Sequence, residues 1–350
     1  MDNLKPLIYD LSQEELMAWA AENGQPKYRA QQVWKAIYQR FIQSPDEITT
    51  LPKDLRDITS DQFDFKALEP VRAIESKDEQ TIKTLFKLRD GQYIEAVLMY
   101  YSHRRTLCIS SQSGCGMGCT FCATGQMGFR RNLSSGEIIA QVLYYARLLA
   151  EKEEQVTNIV MMGMGEPFHN FDNVMEALNR LNDPEAFGLG ARRITLSTVG
   201  LVPKIIEFAD LNTQYNLAIS LHSVDNNLRA SMMPVSKKYT VDKLIGACRY
   251  YVRKTNRRIT FEYALIDGVN DSTADAEALF QAIRGMICHV NLIPLNPTKG
   301  YQKKGTRADQ VNAFAQVLEG HNIPVTVRMR RGIEIGAGCG QLATEVENGG

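Results

Sequence analysis

Cysteines stand at 115, 119 and 122 in the stretch CGMGCTFCATG, and no fourth follows nearby. A closed structural zinc site takes four ligands, commonly as two separated Cys-x-x-Cys pairs. An electron-transfer iron–sulfur cluster also takes four protein ligands. Three thiolates on one short loop leave a metal corner open for a substrate or cofactor. Thiolates are soft ligands suited to iron–sulfur chemistry. Cys115, Cys119 and Cys122 can hold three irons of a 4Fe-4S cube, leaving the fourth iron for a chelating ligand. The alternative is a three-thiolate zinc site completed by a distant histidine.

A second group is GMGEP, residues 163–167. Gly163 and Gly165 let the backbone come close to a ligand, and Glu166 can accept from an ammonium group. The plainer alternative is an ordinary strand-to-loop turn. Of the other cysteines, Cys248 and Cys288 read as small buried hydrophobes. Cys108 lies in a strand feeding the three-cysteine loop. Cys339 stands among glycines in GAGCGQL, which suggests a mobile, close-approaching loop.

These groups need a frame. From about residue 105, the runs TLCIS, NIVMMG, RITLST, YNLAISL, RITFEYAL, HVNLIP and VTVRM read as strands, with amphipathic helices between them. Repeated βα units predict a parallel sheet, open or closed into a full or partial barrel. Function then gathers beyond the carboxyl ends of the strands. Glu166, Ser197, the Ser220–His222 stretch, Asn296, Arg330, Arg331 and the Cys339 loop all fall there. Residues 10 to about 66 read as helices: Ser12 and Glu15 have capping-box spacing, and Val33, Ile37 and Phe41 share a face. TIKTLFKLRD and YIEAVLMYY predict a β-hairpin around DGQ. The expected division is a helical accessory domain at 1–70, a hairpin linker at 71–104 and an α/β catalytic domain at 105–350.

Formal net charge is zero, which argues against a general polyanion binder, although local patches can still be basic. Lys27, Arg29, Lys35 and Arg40 lie in a stretch without acids, and FRRN (129–132) and RMRR (328–331) are further clusters. Each reads first as a solvated face and second as a phosphate contact. No apolar run is long enough for a membrane span, and the amino-terminal residues lack the pattern of a signal peptide. Seven cysteines, three of them clustered, suggest a reducing cytoplasmic setting.

The spacing Cys-x3-Cys-x2-Cys, with Phe121 before the last cysteine, is the signature of the radical S-adenosylmethionine (SAM) superfamily. In order along the chain stand GCGMGCTFCATGQMGFRRNLSSGEI, MGMGEP, LSTVG, SLHS, PLNP and CGQL. Together with YRAQQVWKAIY and LPKDLR, they resemble the RlmN/Cfr family of radical-SAM RNA adenosine methyltransferases over nearly the whole length. The resemblance implies a radical-SAM partial (βα)6-type barrel with an amino-terminal helical RNA-binding domain and a linking β-hairpin. It also implies one 4Fe-4S cluster on Cys115, Cys119 and Cys122, and SAM, two per turnover, contacted by Gly165, Glu166, Ser197, Ser220, Leu221, His222 and Asn296. Cys339 corresponds to the cysteine that is methylated first. Cys108 corresponds to the partner that resolves the RNA adduct and forms a transient disulfide with it. Glu95 matches a proton acceptor, although the residues alone make it an exposed strand position. One departure is GIEIGAGCGQL, where family members usually carry an Asp and a second Ala; Gly336 and Gly338 would add mobility.

The implied substrates are 23S rRNA at the peptidyl-transferase centre and the adenosine 3′ of the anticodon in tRNA, with an electron donor such as flavodoxin and no membrane. The closer branch methylates carbon 2 of adenosine; the alternative is carbon 8, as in the Cfr branch. Carbon 2 is electrophilic, so a methyl cation equivalent finds no nucleophile there, and a covalent detour through Cys339 meets that difficulty. A radical-SAM enzyme acting on a small molecule or a protein would need neither the Cys108–Cys339 pair nor a basic helical segment. A non-catalytic RNA-binding protein would hold zinc and cleave no SAM.

Overall fold

The computed structural model describes residues 4–328 and 331–344, so Met329 and Arg330 of the RMRR cluster lie outside the described residues. The first elements are the helices α1 (Gln13–Glu22), α2 (Lys27–Arg40) and α3 (Lys53–Gln62). Ser12 caps α1 as its spacing predicts: its hydroxyl accepts from Glu15 N–H at 3.1 Å, and Glu15 Oε2 accepts from Ser12 N–H at 2.7 Å. Val33 and Ile37 are buried on α2, while Phe41 ends that helix in the left-handed region at φ 57°. The helical segment is tied to the rest of the molecule through polar contacts. Asp10 Oδ1 accepts from Gly136 N–H at 2.7 Å, and the Arg180 guanidinium donates to the carbonyls of Tyr9 and Asp10.

Three antiparallel strands follow, β1 (Leu68–Glu75), β2 (Thr81–Leu88) and β3 (Tyr93–Tyr101). The hairpin of β2 and β3 was expected; β1 was not. Six of its eight residues are exposed, so it lacks the apolar alternation that marks a half-buried strand. Next come β4 (Arg104–Cys108), β5 (Gln112–Gly114), α4 (Ala123–Gln126), β6 (Phe129–Asn132) and α5 (Ser135–Ala150). The alternating units are then β7 (Asn158–Met161), α6 (Phe171–Asn182), β8 (Ile194–Thr198), α7 (Val202–Asp210) and β9 (Asn216–Ser220). They continue with α8 (Asn226–Met232), α9 (Val241–Thr255), β10 (Ile259–Leu265), α10 (Thr273–Ile283), β11 (Cys288–Pro294), α11 (Ala308–Gly320) and β12 (Val325–Val327).

The main sheet has ten strands in the order β1-β2-β3-β4-β7-β8-β9-β10-β11-β12. Pairing is parallel from β4 to β12, as crossover helices require. The antiparallel hairpin joins this sheet directly, with Val97 of β3 opposite Cys108 of β4. Residues from β3 through to β12 line one common cavity, which a flat sheet could not enclose: the sheet is curled into a partial barrel, with β1 and β12 as open edges.

FRRN does not form a free basic patch. It is strand β6, paired with β5. Arg131 forks onto Glu137 at 2.7 and 2.9 Å and also pairs with Asp90, so its charge is neutralised locally. Among the described residues no helix is long and apolar enough to cross a membrane.

Candidate active site

The chain leaves β4 at Cys108 and passes beneath the end of β7 before reaching the cysteine loop. Ser111 N–H and Gln112 N–H both donate to Met164 O, at 2.8 and 3.1 Å. This crowding explains the glycines of GMGEP. A Cβ on Gly163 would meet the Ile109 backbone at 2.7 Å, and one on Gly165, at φ +103°, would meet Gln112 at 2.6 Å. The close approach is therefore to the strand that feeds the loop, not only to a ligand.

Cys115, Cys119 and Cys122 line one cavity of about 160 Å3, shared with Gly165, Glu166, Ser197, Ser220, His222, Asn296 and Cys339. These side chains come from the ends of β7, β8, β9 and β11 and from the segment after β12, the rim expected from the βα rhythm. Ser197 Oγ and Ser220 Oγ lie 3.5 Å apart. The Phe121 ring meets His222 edge-on, with centroids 5.0 Å apart. His222 sits at φ 60°, and its Nδ1 accepts from Ala264 N–H at 2.9 Å.

Burial dominates the electrostatics. It pushes the Cys115 thiol up to about 12 and raises Cys119 and Cys122 as well, with neighbouring thiols and Glu166 adding to it. Burial also raises the Glu166 carboxyl to about 7, against hydrogen bonds from Val199 N–H at 2.8 Å and Phe168 N–H at 3.0 Å. His222 is lowered to about 3 by burial and by the charge of Arg229, so it is a neutral imidazole.

Three of the expected residues lie outside this cavity. The Leu221 side chain is fully buried in the core; its N–H donates to Glu262 O at 3.0 Å. Cys108 is half-buried on β4, yet close enough to the cavity to sense it: burial and then the charge of Cys339 push its thiol up to about 12, while Arg328 pulls it down. Glu95 is 3% exposed rather than an exposed strand residue. Lys83 Nζ lies 2.9 Å from its Oε1, and Ala343 N–H donates to its Oε2 at 2.9 Å. It lines a separate, larger cavity of about 730 Å3, bounded by β2, β3, α4 and the segment after Cys339.

All seven cysteines are free thiols, so the disulfide between Cys108 and Cys339 is not formed in this structure. A thiol held protonated by burial is a poor partner for thiol–disulfide exchange until a base takes its proton. Nor is the Cys339 loop loosely attached. A Cβ on Gly338 would meet Asn296 Nδ2 at 2.7 Å, and that amide donates to Cys339 O at 3.2 Å.

The donor set fits a cluster with a chelated cofactor. Among the described residues no group of three or more Cys, His, Asp or Glu side chains is gathered tightly enough to hold a single ion, so the fit rests on the softness of three thiolates on one loop. The ligands of a multi-iron cluster sit on separate irons and need no such gathering. Two buried oxygens in the cavity wall, Asn296 Oδ1 and Glu262 Oε2, have no donor among the described residues and so await one from a ligand.

Glu262 is one residue that sequence reasoning missed. Its signal was available: a single acid in the apolar run RITFEYAL, on the same strand face as Thr260 and Ala264. Arg328 is another. It lies 3.6 Å from Glu262 and feels both Cys108 and Cys339.

Residues 109–280 match the model of the radical SAM superfamily, and residues 7–62 match the ribosomal RNA large subunit methyltransferase N-terminal domain. Proteins of Staphylococcus aureus strains JH9 and Newman, each described as a probable dual-specificity RNA methyltransferase RlmN, are 46% identical over 340 residues, covering 97% of this chain and 93% of theirs. The crystal structure of a radical SAM methyltransferase from Sphaerobacter thermophilus superposes with a TM-score of 0.95 at 48% identity, covering 97% of this chain and all of that one.

Proposed function

The chain belongs to the RlmN family of radical-SAM RNA methyltransferases, and from that premise we propose that it methylates carbon 2 of adenosine in 23S rRNA and in tRNA, 3′ of the anticodon. The two Staphylococcus aureus relatives, 46% identical over nearly the whole chain, carry the RlmN name, which favours carbon 2 over carbon 8. The observation that carries the reading is that Cys339 lines the same cavity as Cys115, Cys119 and Cys122.

In this reading the three cysteines hold a 4Fe-4S cluster, and the open corner takes SAM. Held there, the pair would supply a methyl group from one SAM and, with an electron from a donor such as flavodoxin, radical chemistry from a second. Glu166 faces the SAM amino group, where an ammonium partner would offset the cost of ionising a buried carboxyl. Asn296 Oδ1, Ser197, Ser220 and the neutral His222 supply further polar contacts, and Leu221 contributes through its backbone. Cys339 carries the methyl carbon to the base. Glu95 accepts the proton from the adduct. Cys108 then attacks Cys339 sulfur, releasing the product and leaving a transient disulfide.

The helical segment at 1–70 supplies an RNA-binding surface, the hairpin at 71–104 walls the larger cavity, and residues 105–350 perform the chemistry in the cytoplasm. Mass spectrometry of modified adenosines in rRNA and tRNA tests this. Cells lacking the gene should lose 2-methyladenosine; unchanged levels in both RNAs would overturn the assignment.

A further inference from the structure

The barrel has a further cavity, away from the cysteine loop, formed at the amino-terminal ends of most of the parallel strands and by Arg328 and Arg331 beyond β12; Arg331, expected on the rim with the Cys339 loop, lines this cavity instead. Its volume is about 570 Å3, within the roughly 300–1,000 Å3 range of ligand pockets. Arg104, Arg193, Arg258, Arg328 and Arg331 line it with His289, and among the described residues no carboxylate does. In a chain of zero net charge, this is a strong local separation of charge.

The guanidiniums are poorly neutralised. Arg328 reaches Glu262 at 3.6 Å, in the deeper part of the lumen. Arg331 donates to Tyr100 O at 3.0 Å and lies over the Tyr101 ring, neither of which carries a full negative charge. Arg193 and Arg258 are exposed and have no acidic partner among the described residues. His289 registers the field: burial and then the charges of Arg258 and Arg328 hold its imidazole below the usual range. Like charges gathered in a concave, low-dielectric wall repel one another, and a bound anion relieves that repulsion. The planar guanidinium fork matches phosphate oxygens in particular. SAM carries no phosphate, so the cofactor does not account for the cavity.

We propose that this floor of the barrel is a phosphate-binding site, separate from the SAM pocket. A smaller cavity of about 250 Å3 shares Arg258 and Arg328 with the floor and Met162 and Glu262 with the cysteine cavity. The floor is thus the lower end of one lumen. The phosphates it takes belong either to an RNA strand or to a small phosphorylated molecule.

Pyrophosphate and a labelled single-stranded oligoribonucleotide, each titrated against the full chain, test this. The comparison is an Arg193→Gln/Arg258→Gln variant, with Arg193→Lys/Arg258→Lys as the charge-preserving control. Pyrophosphate should raise the melting temperature of the wild type and of the Lys control. The Gln variant should bind it at least about tenfold more weakly, as expected for the loss of one charge-assisted hydrogen bond. If RNA is the source, pyrophosphate also displaces the oligoribonucleotide, and the Gln variant binds RNA more weakly. If a free phosphorylated molecule is the source, RNA binding is unchanged while pyrophosphate binding is lost. No pyrophosphate binding by the wild type, or equal binding by the Gln variant, overturns the site. Neither arm reads methylation, so the result stands apart from the function proposed above.

Discussion

Thr124, two residues beyond the last loop cysteine, donates its hydroxyl hydrogen to the carbonyl of Leu342, three residues beyond Cys339, at 2.6 Å. Beside it, Ala123 N–H donates to Gly340 O at 2.7 Å. The segment that directly follows the three-cysteine loop therefore also holds the loop that carries Cys339. Thr124→Val removes the donor and orphans a carbonyl, a cost of about 1–2 kcal/mol. The undocked population should rise roughly five- to thirtyfold. Hydrogen exchange of the Gly340–Ala343 amides reads this directly, since exchange reports local opening. Unchanged protection would show that the two loops are held independently.

Glu166 gives a pH prediction for the cluster-free protein. Burial raises its carboxyl from the ordinary 4.5 to about 7. Between those values the folded chain holds a proton that the unfolded chain has released. Its contribution to stability therefore falls as pH rises through that window, by up to roughly 3 kcal/mol. Glu166→Gln keeps the shape without the charge and should flatten this part of the stability profile in urea melts from pH 4.5 to 8. Parallel profiles for the two proteins would mean that Glu166 is not the titrating group.

The parts of this site that the sequence made legible are those encoded locally. Cys115, Cys119 and Cys122 lie within one loop, and each βα unit announces its strand by an apolar run and its helix by periodicity. Glu95 was misjudged because its burial is not local: Lys83 on the neighbouring strand and Ala343 near the far end of the chain cover it. Strand parity puts it on a face but cannot say what lies against that face. The floor arginines were opaque for the same reason. Arg104 starts β4 after the turn from β3, Arg193 and Arg258 stand just before β8 and β10, and Arg328 follows β12; only the curled sheet brings them to one cavity. RMRR read first as a solvated cluster and second as a phosphate contact, whereas Arg328 reaches inward to Glu262.

The helical segment should bind RNA through phosphates, and the structure sharpens which charges matter. Arg29 is committed to Thr50 O at 2.8 Å, and Lys35 faces Glu185 at 3.8 Å. Lys27 and Arg40 are exposed. Replacing all four by Ala should weaken RNA binding and flatten the salt dependence, mostly through these two. A slope change of about 1.4–1.8 in log K against log salt follows if each contacts one phosphate. An unchanged slope in filter binding would remove this surface from the RNA interface.

Cluster loading follows from the three-cysteine loop. Anaerobic reconstitution should give about four irons per chain, with visible absorption that the zinc-loaded protein lacks. Cys119→Ala removes the middle one of the three thiols, on a residue only 7% exposed, and should lose both the cluster and SAM cleavage. A normal iron content in that variant would assign the metal to other ligands.

The last prediction separates Cys108 from Cys339, because the proposed route uses them at different moments. Cys339 is exposed and lines the cysteine cavity; it must take the methyl before RNA is touched. Cys108 is half-buried on β4, its thiol pushed up to about 12 by burial and by Cys339. It acts only once a base has taken its proton and the base-to-Cys339 bridge has formed. Cys339→Ala should therefore carry no protein-bound methyl and give no adduct. Cys108→Ala should still accept the methyl and still join to RNA, then stall, because a thioether to carbon does not part without a second thiol. The product should be a protein–RNA crosslink that survives denaturation and shrinks, on nuclease digestion, to one nucleotide on Cys339. Mass spectrometry of the digested peptide checks this. Normal turnover by Cys108→Ala, or the same free RNA from both variants, would exclude the covalent route for this protein.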